Sequence, residues 1–423
     1  MRVNNYWCFC VLVLSFFSCE REKIKYIEDT GTLPQLRILI DENYLWSADS
    51  GLYVIGINGK ELCGPIANYN QKWEYPASVS YVNKGEILFN EQVGLRIKGG
   101  CSRVSSMKSL GLYWRKEYGN SRLEYPVFRN SAISSYKRLF LRNSGNDFGE
   151  TQIKDISINS IVSEDANFEM QQYTQCVVYL NEEYWGIYNL REMITKHYFE
   201  THFGYEKENI DLLEGSEINP WADDGSPNNY KNTVVSFLQN NDLSLESNYM
   251  QIGNLIDVDS YIDYIIVNTY IGNRDWPQNN VKWWKDRTND QSKWRWVLFD
   301  TDLSFELNRV ERIWIGDLIG EPFNQNQASF FIFNKLLKNT QFKKTFLDRY
   351  LYFIEHVFDQ NRVESMIRQT KNTIDAEYSN FHAKWNVLNQ SQWENEIQKM
   401  ISFNTQRHQI MKSVITHLRN EGN

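Results

Sequence analysis

Short apolar runs separated by turn residues fill the chain from residue 33 to about residue 92. The runs at residues 36–40, 52–56 and 74–82 are divided by Asn-Gly and Asn-Lys-Gly turns. Runs of this length, broken by such turns, are typical of β-strands joined by tight connections. We therefore predict a small β-rich module, sandwich-like or barrel-like, over residues 33–92, with Asn58-Gly59 as its clearest hairpin turn.

Strand-like and helix-like segments alternate from residue 93 to residue 305. Strand patterns lie at residues 94–97, 138–141, 177–180, 184–188 and 294–299, and helical patterns lie at residues 154–163, 195–203 and 258–271. This alternation predicts an α+β core domain. From about residue 324 the apolar residues recur at helical spacing, so residues 306–423 are predicted to form a helical C-terminal lobe of three or four helices.

The composition is that of a globular protein of two or three structural units. The chain has 423 residues, of which 42% are hydrophobic, 23% are charged and only 8 are proline. Aromatic residues are abundant, with 14 Trp, 25 Tyr and 23 Phe. Such rings fill cores and also stack on sugars and nucleobases, so they fit either a rigid core or a ring-binding cleft.

The charge distribution argues against nucleic acid as a partner. The formal net charge is −8, and no run of Lys or Arg is long enough to follow a phosphate backbone. A few cations gathered in one cleft can still bind a nucleotide on a mildly acidic protein.

The first residues predict export. Arg2 precedes an apolar run over residues 6–17, and the segment ends in Ser18-Cys19. The run is too short for a membrane span, which needs about 20 residues, and it fits a signal peptide over residues 1–19 with a lipobox-like Cys19, followed by a tether over residues 20–32. The protein is then a lipoprotein anchored to the membrane, periplasmic or surface-facing, through lipidated Cys19. The alternative is an ordinary secretory peptide in which Cys19 is incidental.

Few cysteines remain after such a cleavage. They are Cys19, Cys63, Cys101 and Cys176, and no two of them form a Cys-x-x-Cys pair. With Cys19 acylated, the remaining number is odd. We therefore expect neither a disulfide framework nor a zinc site.

A loop-like segment at residues 271–280 carries candidate catalytic residues. Asp275 and Asn280 stand five positions apart there, after a helical pattern. In protein kinases an Asp accepts the proton of the attacking hydroxyl, and an Asn five residues later binds a phosphate-bridging Mg²⁺. The same spacing recurs at Asp263 and Asn268, so a purely structural loop is the alternative.

Two acids follow an apolar strand pattern twenty residues further on. The strand ends in Phe299-Asp300-Thr301-Asp302, and a strand that delivers carboxylates at its end can present oxygen ligands to a divalent metal ion. A solvated turn is the alternative. With Asp275 and Asn280, Asp300 completes the kinase order of base, Asn ligand and Asp ligand.

Cations and glycines gather upstream of these residues. Arg96, Lys98, Gly99 and Ser102 lie where a strand pattern enters a turn, and Lys108 follows shortly after. Paired glycines let backbone amides approach an anion, although a simple hairpin turn explains the same residues. Glu192 could pair with Lys108, as kinases pair a phosphate-binding Lys with a helical Glu, or could be a solvated residue at a helix start.

Four ordered blocks of this sequence resemble the CotH kinase family. They are residues 95–103 with Lys108, residues 178–181 and 184–188 with Glu192, residues 272–275 with Asn280, and residues 299–302. The resemblance covers about residues 93–305. It implies an atypical protein-kinase-like fold that uses ATP and Mg²⁺ or Mn²⁺ to phosphorylate Ser or Thr of secreted or surface proteins.

The resemblance also implies roles for individual residues. Asp275 is then the catalytic Asp, Asn280 and Asp300 are the metal ligands, and Asp302 is a second ligand or a support. Lys108 is the nucleotide-phosphate lysine with Glu192 as its partner, and Arg96, Lys98, Gly99 and Ser102 belong to the nucleotide-binding block. The family's Arg-Gly is here Lys98-Gly99, and Arg103 replaces a second Ser.

Two other functions fit the same sequence. A related kinase-like enzyme could transfer AMP or ligate glutamate at the same nucleotide site. From a different class, a surface protein could hold glycans or another protein on its aromatic-rich β-module while the kinase-like part is inert. The presence of Asp275, Asn280 and Asp300 together favours an enzyme.

Overall fold

The computed structural model describes residues 33–128, 131–311 and 330–421. Its strands are β1 (Gln35–Leu39), β2 (Tyr75–Asn83), β3 (Glu86–Ile97), β4 (Leu110–Tyr113), β5 (Leu123–Glu124), β6 (Ser135–Tyr136), β7 (Arg138–Arg142), β8 (Glu169–Met170), β9 (Tyr173–Leu180), β10 (Glu183–Glu192), β11 (Ile210–Gly215), β12 (Pro220–Asp224), β13 (Lys282–Asp286) and β14 (Arg295–Leu298). Its helices are α1 (Glu42–Trp46), α2 (Lys154–Val162), α3 (Lys196–Phe203), α4 (Asn228–Tyr230), α5 (Ser236–Asn240), α6 (Glu246–Leu255), α7 (Val258–Tyr270), α8 (Phe331–Leu336), α9 (Thr340–Tyr352), α10 (Gln360–Trp385) and α11 (Gln390–Glu421).

Seven strands close into a barrel in the order β1-β2-β3-β4-β7-β10-β9. Neighbouring strands are antiparallel except β1 and β9, whose parallel pairing closes the barrel. Alternate residues of each strand point into the barrel. The interior is apolar, as the fully buried Leu95, Leu112 and Leu141 illustrate. The opposite face of β3, β4, β7 and β10 therefore carries the intervening polar residues.

The predicted boundary between residues 92 and 93 falls inside β3. The strands on both sides of that boundary belong to the one barrel. The pairing of β1 with β9 joins residues far apart in sequence, such as Gln35 and Val177. No local pattern encodes such a pairing. The boundary predicted from the sequence therefore divides strands that belong to one sheet.

The predicted strand at residues 52–56 and the hairpin at Asn58-Gly59 are wrong. This region is a loop with one isolated bridge between Lys60 and Ala67. Its organiser is the buried amide of Asn68, which accepts from the Asn58 backbone N–H at 3.1 Å and donates to the Ala48 carbonyl at 2.9 Å. A side chain that replaces ladder hydrogen bonds leaves no strand pattern to predict.

The expectation of no disulfide is also wrong. Cys63 and Cys101 form a disulfide, and the only free cysteine among the described residues is the buried Cys176. Hydrogen bonds join the same two segments beside the disulfide, since Arg103 donates to the carbonyls of Tyr69 at 3.0 Å and Gln71 at 3.2 Å. The two cysteines are 38 residues apart, so only the folded chain brings them together.

The rest of the predicted α+β pattern is confirmed. The predicted helices at residues 154–163, 195–203 and 258–271 correspond to α2, α3 and α7, and α8 to α11 form the helical C-terminal part. A second sheet has the order β12-β11-β13-β14-β8, and α7 packs against its β14. The helical part is tied to the barrel side by hydrogen bonds from Trp385 to the Trp185 carbonyl and from Trp393 to the Thr151 carbonyl, both at 2.8 Å.

The predicted signal peptide, Cys19 and tether lie outside the described residues. Within the described ranges, none of the helices has both the length and the apolar character that crossing a membrane requires.

A carboxyl group is buried next to the second sheet. Glu217, between β11 and β12, is 2% exposed, and its oxygens accept hydrogen bonds from the Tyr261 hydroxyl and the Ile332 amide, both at 2.9 Å. Burial raises the pKa of Glu217 to about 8, and these hydrogen bonds offset only part of the rise. The folded protein therefore keeps this proton at a pH where an exposed Glu has lost it.

We expect the Glu217 contribution to the free energy of unfolding to fall as the pH rises through this range. The unfolded chain loses the proton near pH 4.5 and the folded chain near pH 8, so the folded state binds more protons between these values and is favoured at the acidic end. The slope from one group is about 1.4 kcal/mol per pH unit. Denaturant titrations across this window should show a steeper decline for the wild type than for Glu217→Gln, and equal declines would contradict the assignment.

Candidate active site

The loop that follows α7 holds Asp275 in place. The side chain of Asp257 caps the start of α7 by accepting from the Ser260 amide at 3.0 Å, and the helix is followed by Gly272 with a φ of +64°. In the loop, the Asp275 carboxylate accepts one hydrogen bond from the Asn279 amide at 2.8 Å and one from the Asn280 amide at 2.9 Å. Asp275 is therefore held on both oxygens.

Asn280 connects this loop to the end of β14. Its Nδ2 lies 2.9 Å from Asp275 Oδ2 and 3.4 Å from the backbone oxygen of Asp300. Asn280 and Asp300 both have left-handed backbones, with φ of 58° and 57°, a conformation that Asn and Asp tolerate better than most residues. A further bond from the Arg274 amide to the Leu303 carbonyl, at 2.9 Å, joins the two segments. The structure thus places Asp275, Asn280 and Asp300 next to one another, through the contacts of Asn280 with the Asp275 carboxylate and the Asp300 backbone oxygen.

Arg142, at the end of β7, meets the acids of this cluster. Its Nη2 donates to Asp300 and, at 2.6 Å, to Oδ2 of Asp302. The side chain of Asp300 is 34% exposed, whereas that of Asp302 is only 3% exposed. The sequence analysis missed Arg142, because a single Arg at a strand end carries no local signal of such contacts.

The turn after β7 also binds Asp302. The backbone amide of Asn146 donates to Asp302 Oδ2 at 2.9 Å, and its side-chain amide donates to Oδ1 at 3.3 Å. A Cβ on Gly145, where φ is +61°, would collide with the Asp302 carboxylate, so this position requires glycine. The pKa of Asp302 is raised to about 7, because burial and the neighbouring Asp300 raise it by more than Arg142 lowers it.

Asp155 anchors the strand end from the first turn of α2. Its Oδ1 accepts from the amide of Thr301 at 3.2 Å and from the Thr301 hydroxyl at 2.7 Å. Arg191 donates to its other oxygen, and Arg142 lies 3.5 Å away. Although burial acts to raise it, the pKa of Asp155 falls to about 2, chiefly because of Arg191 and Arg142. Asp155 is therefore a permanently charged link between α2, the barrel and the Asp300 turn.

Two carboxylates and one amide of this cluster are the side chains that could hold a divalent cation. In the described part of the chain, no group of three or more His, Cys, Asp and Glu side chains is arranged to hold a metal ion. Asp300 and Asp302 nevertheless contact the same guanidinium nitrogen, so both lie within reach of one cation. Asn280 uses its amide nitrogen on Asp275 and Asp300, which leaves its carbonyl oxygen as an acceptor. Mg²⁺ commonly takes one or two carboxylates and completes its shell with phosphates and water, so these residues fit it.

Cations gather on the barrel face that also carries Arg142. Arg96 stands opposite Gly111, which stands opposite Phe140, so Arg96 and Lys98 share a face with Arg142 two residues beyond Phe140. Burial, followed by the nearby Arg96, lowers the pKa of Lys98 to about 8. Arg138 lies on the same face and over the same Tyr113 ring as Arg96. We call Arg96, Lys98 and Arg138 the cationic cluster.

Two of the three cations in the cationic cluster, Arg96 and Lys98, lack a carboxylate partner among the described residues. Among the described residues, neither the Lys98 ammonium nor the Arg96 guanidinium forms an ion pair, and Arg96 Nε is buried without a hydrogen-bond partner. Charges that repel one another at close range favour an anionic ligand. Arg96 and Lys98 therefore remain candidates for phosphate binding.

The Lys108 ammonium is bonded to backbone carbonyls rather than free to bind a phosphate. Its ammonium donates to the carbonyls of Arg103 at 2.6 Å and Ser105 at 3.0 Å, and it lies 3.9 Å from the centre of the Tyr69 ring. Burial lowers its pKa to about 8. Lys108 therefore holds the turn at residues 99–105 together, where Arg103 also donates to the Gly99 carbonyl at 2.6 Å.

Ser102 and Gly99 lie together in that turn. Gly99 has a φ of +101°, and a Cβ there would meet Ser102 Oγ. The disulfide at Cys101 joins the turn to the loop between α1 and β2 that holds Cys63. The predicted glycine turn is thus present, and Ser102 packs against it.

The predicted ion pair between Lys108 and Glu192 is wrong. Glu192 is the last residue of β10 rather than a helical residue, and it bonds to His202 Nε2 at 2.7 Å and to the Gln172 amide at 3.1 Å. It stands opposite Leu139, at the other end of β7 from the turn that Lys108 holds. Two cations on barrel strands do meet a carboxylate at a helix start, because Arg142 and Arg191 both contact Asp155.

Comparison with known proteins identifies one family. The model described as CotH kinase protein matches residues 95–411, which is most of the chain. No curated protein matches the chain. The matched range contains every candidate site residue named above.

Proposed function

The chain belongs to the CotH kinase family, and from this premise we propose that it transfers the γ-phosphoryl group of ATP to Ser or Thr hydroxyls of surface or secreted proteins. The observation that carries the proposal is the meeting of Asp275, Asn280 and Asp300, which two hydrogen bonds of the Asn280 amide join. These residue types in this order serve as base and metal ligands in phosphoryl transfer.

Asp275 is proposed as the general base. The two amides on its carboxylate fix its orientation, and the group is partly open to solvent. It can accept the proton of a hydroxyl that attacks the γ-phosphorus, and the oxygen–phosphorus bond to the β-phosphate then breaks. An acid–base contribution of this kind accelerates a reaction by about 10²- to 10⁴-fold.

Asn280, Asp300 and Asp302 are proposed to hold Mg²⁺ or Mn²⁺ with the nucleotide. When bound, the cation would neutralise charge on the β- and γ-phosphates. Arg142 and Asp155 are positioning residues, since they fix the Asp300 turn through its carboxylates and through Thr301. Asn146 also positions Asp302, by donating two hydrogen bonds to it.

Lys98 and Arg96 are proposed to bind the nucleotide phosphates. The support is their place on the face that bears Arg142, combined with the charge of the cationic cluster. Lys108 supports the adjoining turn through the carbonyls of Arg103 and Ser105. The nucleotide-phosphate lysine is therefore reassigned from Lys108 to Lys98.

The experiment that tests this function is isotope transfer to protein. We expect incubation of the purified chain with ATP and Mg²⁺ or Mn²⁺ to deposit label from the γ-phosphate on protein and none from the adenine ring. Label from adenine would instead support AMP transfer, and glutamate incorporation would support ligation. No transfer and no nucleotide binding would support the inert, binding-protein alternative.

We also propose that the protein is an exported lipoprotein anchored through Cys19. The apolar run before Cys19 motivates this, and the Cys63–Cys101 disulfide supports it, because disulfides persist mainly in oxidising compartments outside the cytoplasm. We expect Cys19→Ala to abolish metabolic labelling with palmitate and to move the protein from the membrane to the soluble fraction. Undiminished palmitate labelling of the variant would contradict the assignment.

A further inference from the structure

A large cavity lies on the far side of α2 from the Asp300 turn. Its volume is about 920 Å³, which is within the range of small-molecule sites. It is bounded by β9, by α2 and by the first half of α10. We call it the amide groove. α2 separates the two sites, since Asp155 contacts the Asp300 turn while Asn159, Ser160 and Ser163 line the groove.

The polar lining of the groove consists mainly of uncharged hydroxyl and amide side chains, and the amides have the largest hydrogen-bonding capacity. The amides are those of Asn83, Asn159, Gln171, Gln172, Gln175 and Gln369. Among the described lining residues the only charged one is Glu164, whose side chain is 81% exposed and lies 3.8 Å from Arg362. Apart from this exposed carboxylate, the described lining residues offer uncharged donors and acceptors and no cation, which disfavours phosphates, nucleotides and other anions as the ligand.

Two of these amides are buried with an unused polar atom. Gln175 is 5% exposed and its Nε2 has no hydrogen-bond partner, and Asn159 is 3% exposed and its Oδ1 has none. Asn159 uses its nitrogen on the Gln171 carbonyl at 3.3 Å. Buried polar atoms without partners are costly and rare in folded proteins. One donor and one acceptor in the same groove call for a ligand that both accepts and donates.

Aromatic rings stand beside the amides. Tyr81, Tyr125, Phe128 and Tyr173 line the groove. The rings of Tyr81 and Tyr125 lie 6.2 Å apart at an angle of 57°, and Tyr125 is only half-buried. A ring of this kind offers an apolar face to the C–H groups of a ligand while its edge and hydroxyl stay polar.

We propose that the amide groove binds a neutral carbohydrate. A sugar ring combines the three properties that the lining requires: hydroxyls that both donate and accept, C–H faces that stack on aromatic rings, and no charge. On binding, the side chains of Gln175 and Asn159 would turn their buried, unused atoms toward sugar hydroxyls. This site is separate from the proposed kinase site and does not depend on it.

Isothermal titration calorimetry of the full chain with neutral trisaccharides of glucose, mannose and N-acetylglucosamine tests the proposal. We expect at least one of them to bind, and we expect Gln175→Leu to weaken it about tenfold, because the variant keeps the volume but loses the buried donor. Tyr125→Ala, at the half-buried rim where folding is less sensitive, should weaken the same sugar by a similar factor. The controls Tyr205→Ala, a half-buried tyrosine between α3 and β11 that is not among the lining residues, and Asp300→Ala should bind it as the wild type does.

Three results overturn the proposal. The first is that no trisaccharide binds to the folded wild type. The second is that a sugar binds equally well to wild type, Gln175→Leu and Tyr125→Ala, since it then occupies another site. The third is that an uncharged Gly-Ser peptide binds and loses affinity in these variants while the sugars do not. Loss of phosphoryl transfer in Asp300→Ala with sugar binding intact would separate the two functions.

Discussion

Phosphoryl transfer by Asp275→Asn should be about 10²- to 10⁴-fold slower than by the wild type, with ATP binding little changed. The variant keeps the shape of the side chain, but an amide does not accept the proton of the attacking hydroxyl. Asp275 contacts Asn279 and Asn280 through the oxygens that the substitution alters, so a small change in loop order is expected as well. The measurement is the initial rate of γ-phosphate transfer to protein at saturating ATP and Mg²⁺.

Asp300→Ala provides the contrasting variant. It removes a proposed metal ligand, so both the transfer rate and the thermal stabilisation by ATP with Mg²⁺ should be lost. The matched control for Asp275→Asn is Asp290→Asn, the same change at an exposed residue in the turn between β13 and β14. Transfer by Asp275→Asn at the wild-type rate would remove Asp275 from the mechanism and leave the metal site untouched.

The meeting of Asp275, Asn280 and Asp300 was predictable because each residue belongs to a short local pattern. Asp275 and Asn280 share one loop after a helix, and Asp300 ends an apolar strand. The sequence encodes both segments locally, and antiparallel pairing of β13 with β14 places the segments next to one another. The approach of the two segments therefore depends on the local β13–β14 hairpin, whereas the orientation of the Asp300 and Asp302 carboxylates depends on distant residues.

The partner of the phosphate-binding lysine was not predictable in the same way. Whether Lys108 meets Glu192 depends on the register of β4, β7 and β10, and the sequence alone does not fix that register. Arg142 illustrates the same limit, since its carboxylate partners Asp300 and Asp302 are 158 and 160 residues away. Arg142 meets these carboxylates only when folding brings the end of β7 next to the end of β14.

The closed barrel could not be predicted from local sequence patterns. The pattern of β1 to β3 predicts a separate module because these strands follow one another along the chain and pair with one another. Closure needs β9, which lies some 140 residues further along the chain. The helical part was predictable because α-helices are specified by spacing within one segment.

The charged contacts around Asp302 connect the two sheets. Arg142 from the barrel, Asp155 from α2 and Asn146 from the turn between them all reach the strand end that carries Asp300 and Asp302. Burial makes these interactions strong, and it also makes the loss of one partner costly. The proposed metal ligands are therefore oriented by residues that lie on three other elements.

Lys98→Ala should weaken the binding of ATP with Mg²⁺ by about 10- to 100-fold, the value expected for loss of a charged hydrogen bond to phosphate. Lys98 is the member of the cationic cluster next to Gly99, and its ammonium forms no ion pair within the described residues. Lys98→Arg keeps the charge and should retain most of the affinity. Calorimetric titration with ATP and Mg²⁺ measures all three proteins.

Lys108→Met separates this assignment from the one that the sequence suggested. It removes the donor to the carbonyls of Arg103 and Ser105, so it should lower the midpoint of thermal unfolding, because two buried acceptors lose their partner. At a temperature where the variant is folded, its ATP affinity should change less than that of Lys98→Ala. If Lys108→Met instead loses ATP binding at unchanged stability while Lys98→Ala binds normally, then Lys108 is the phosphate lysine. The cationic cluster would then have no part in binding the nucleotide.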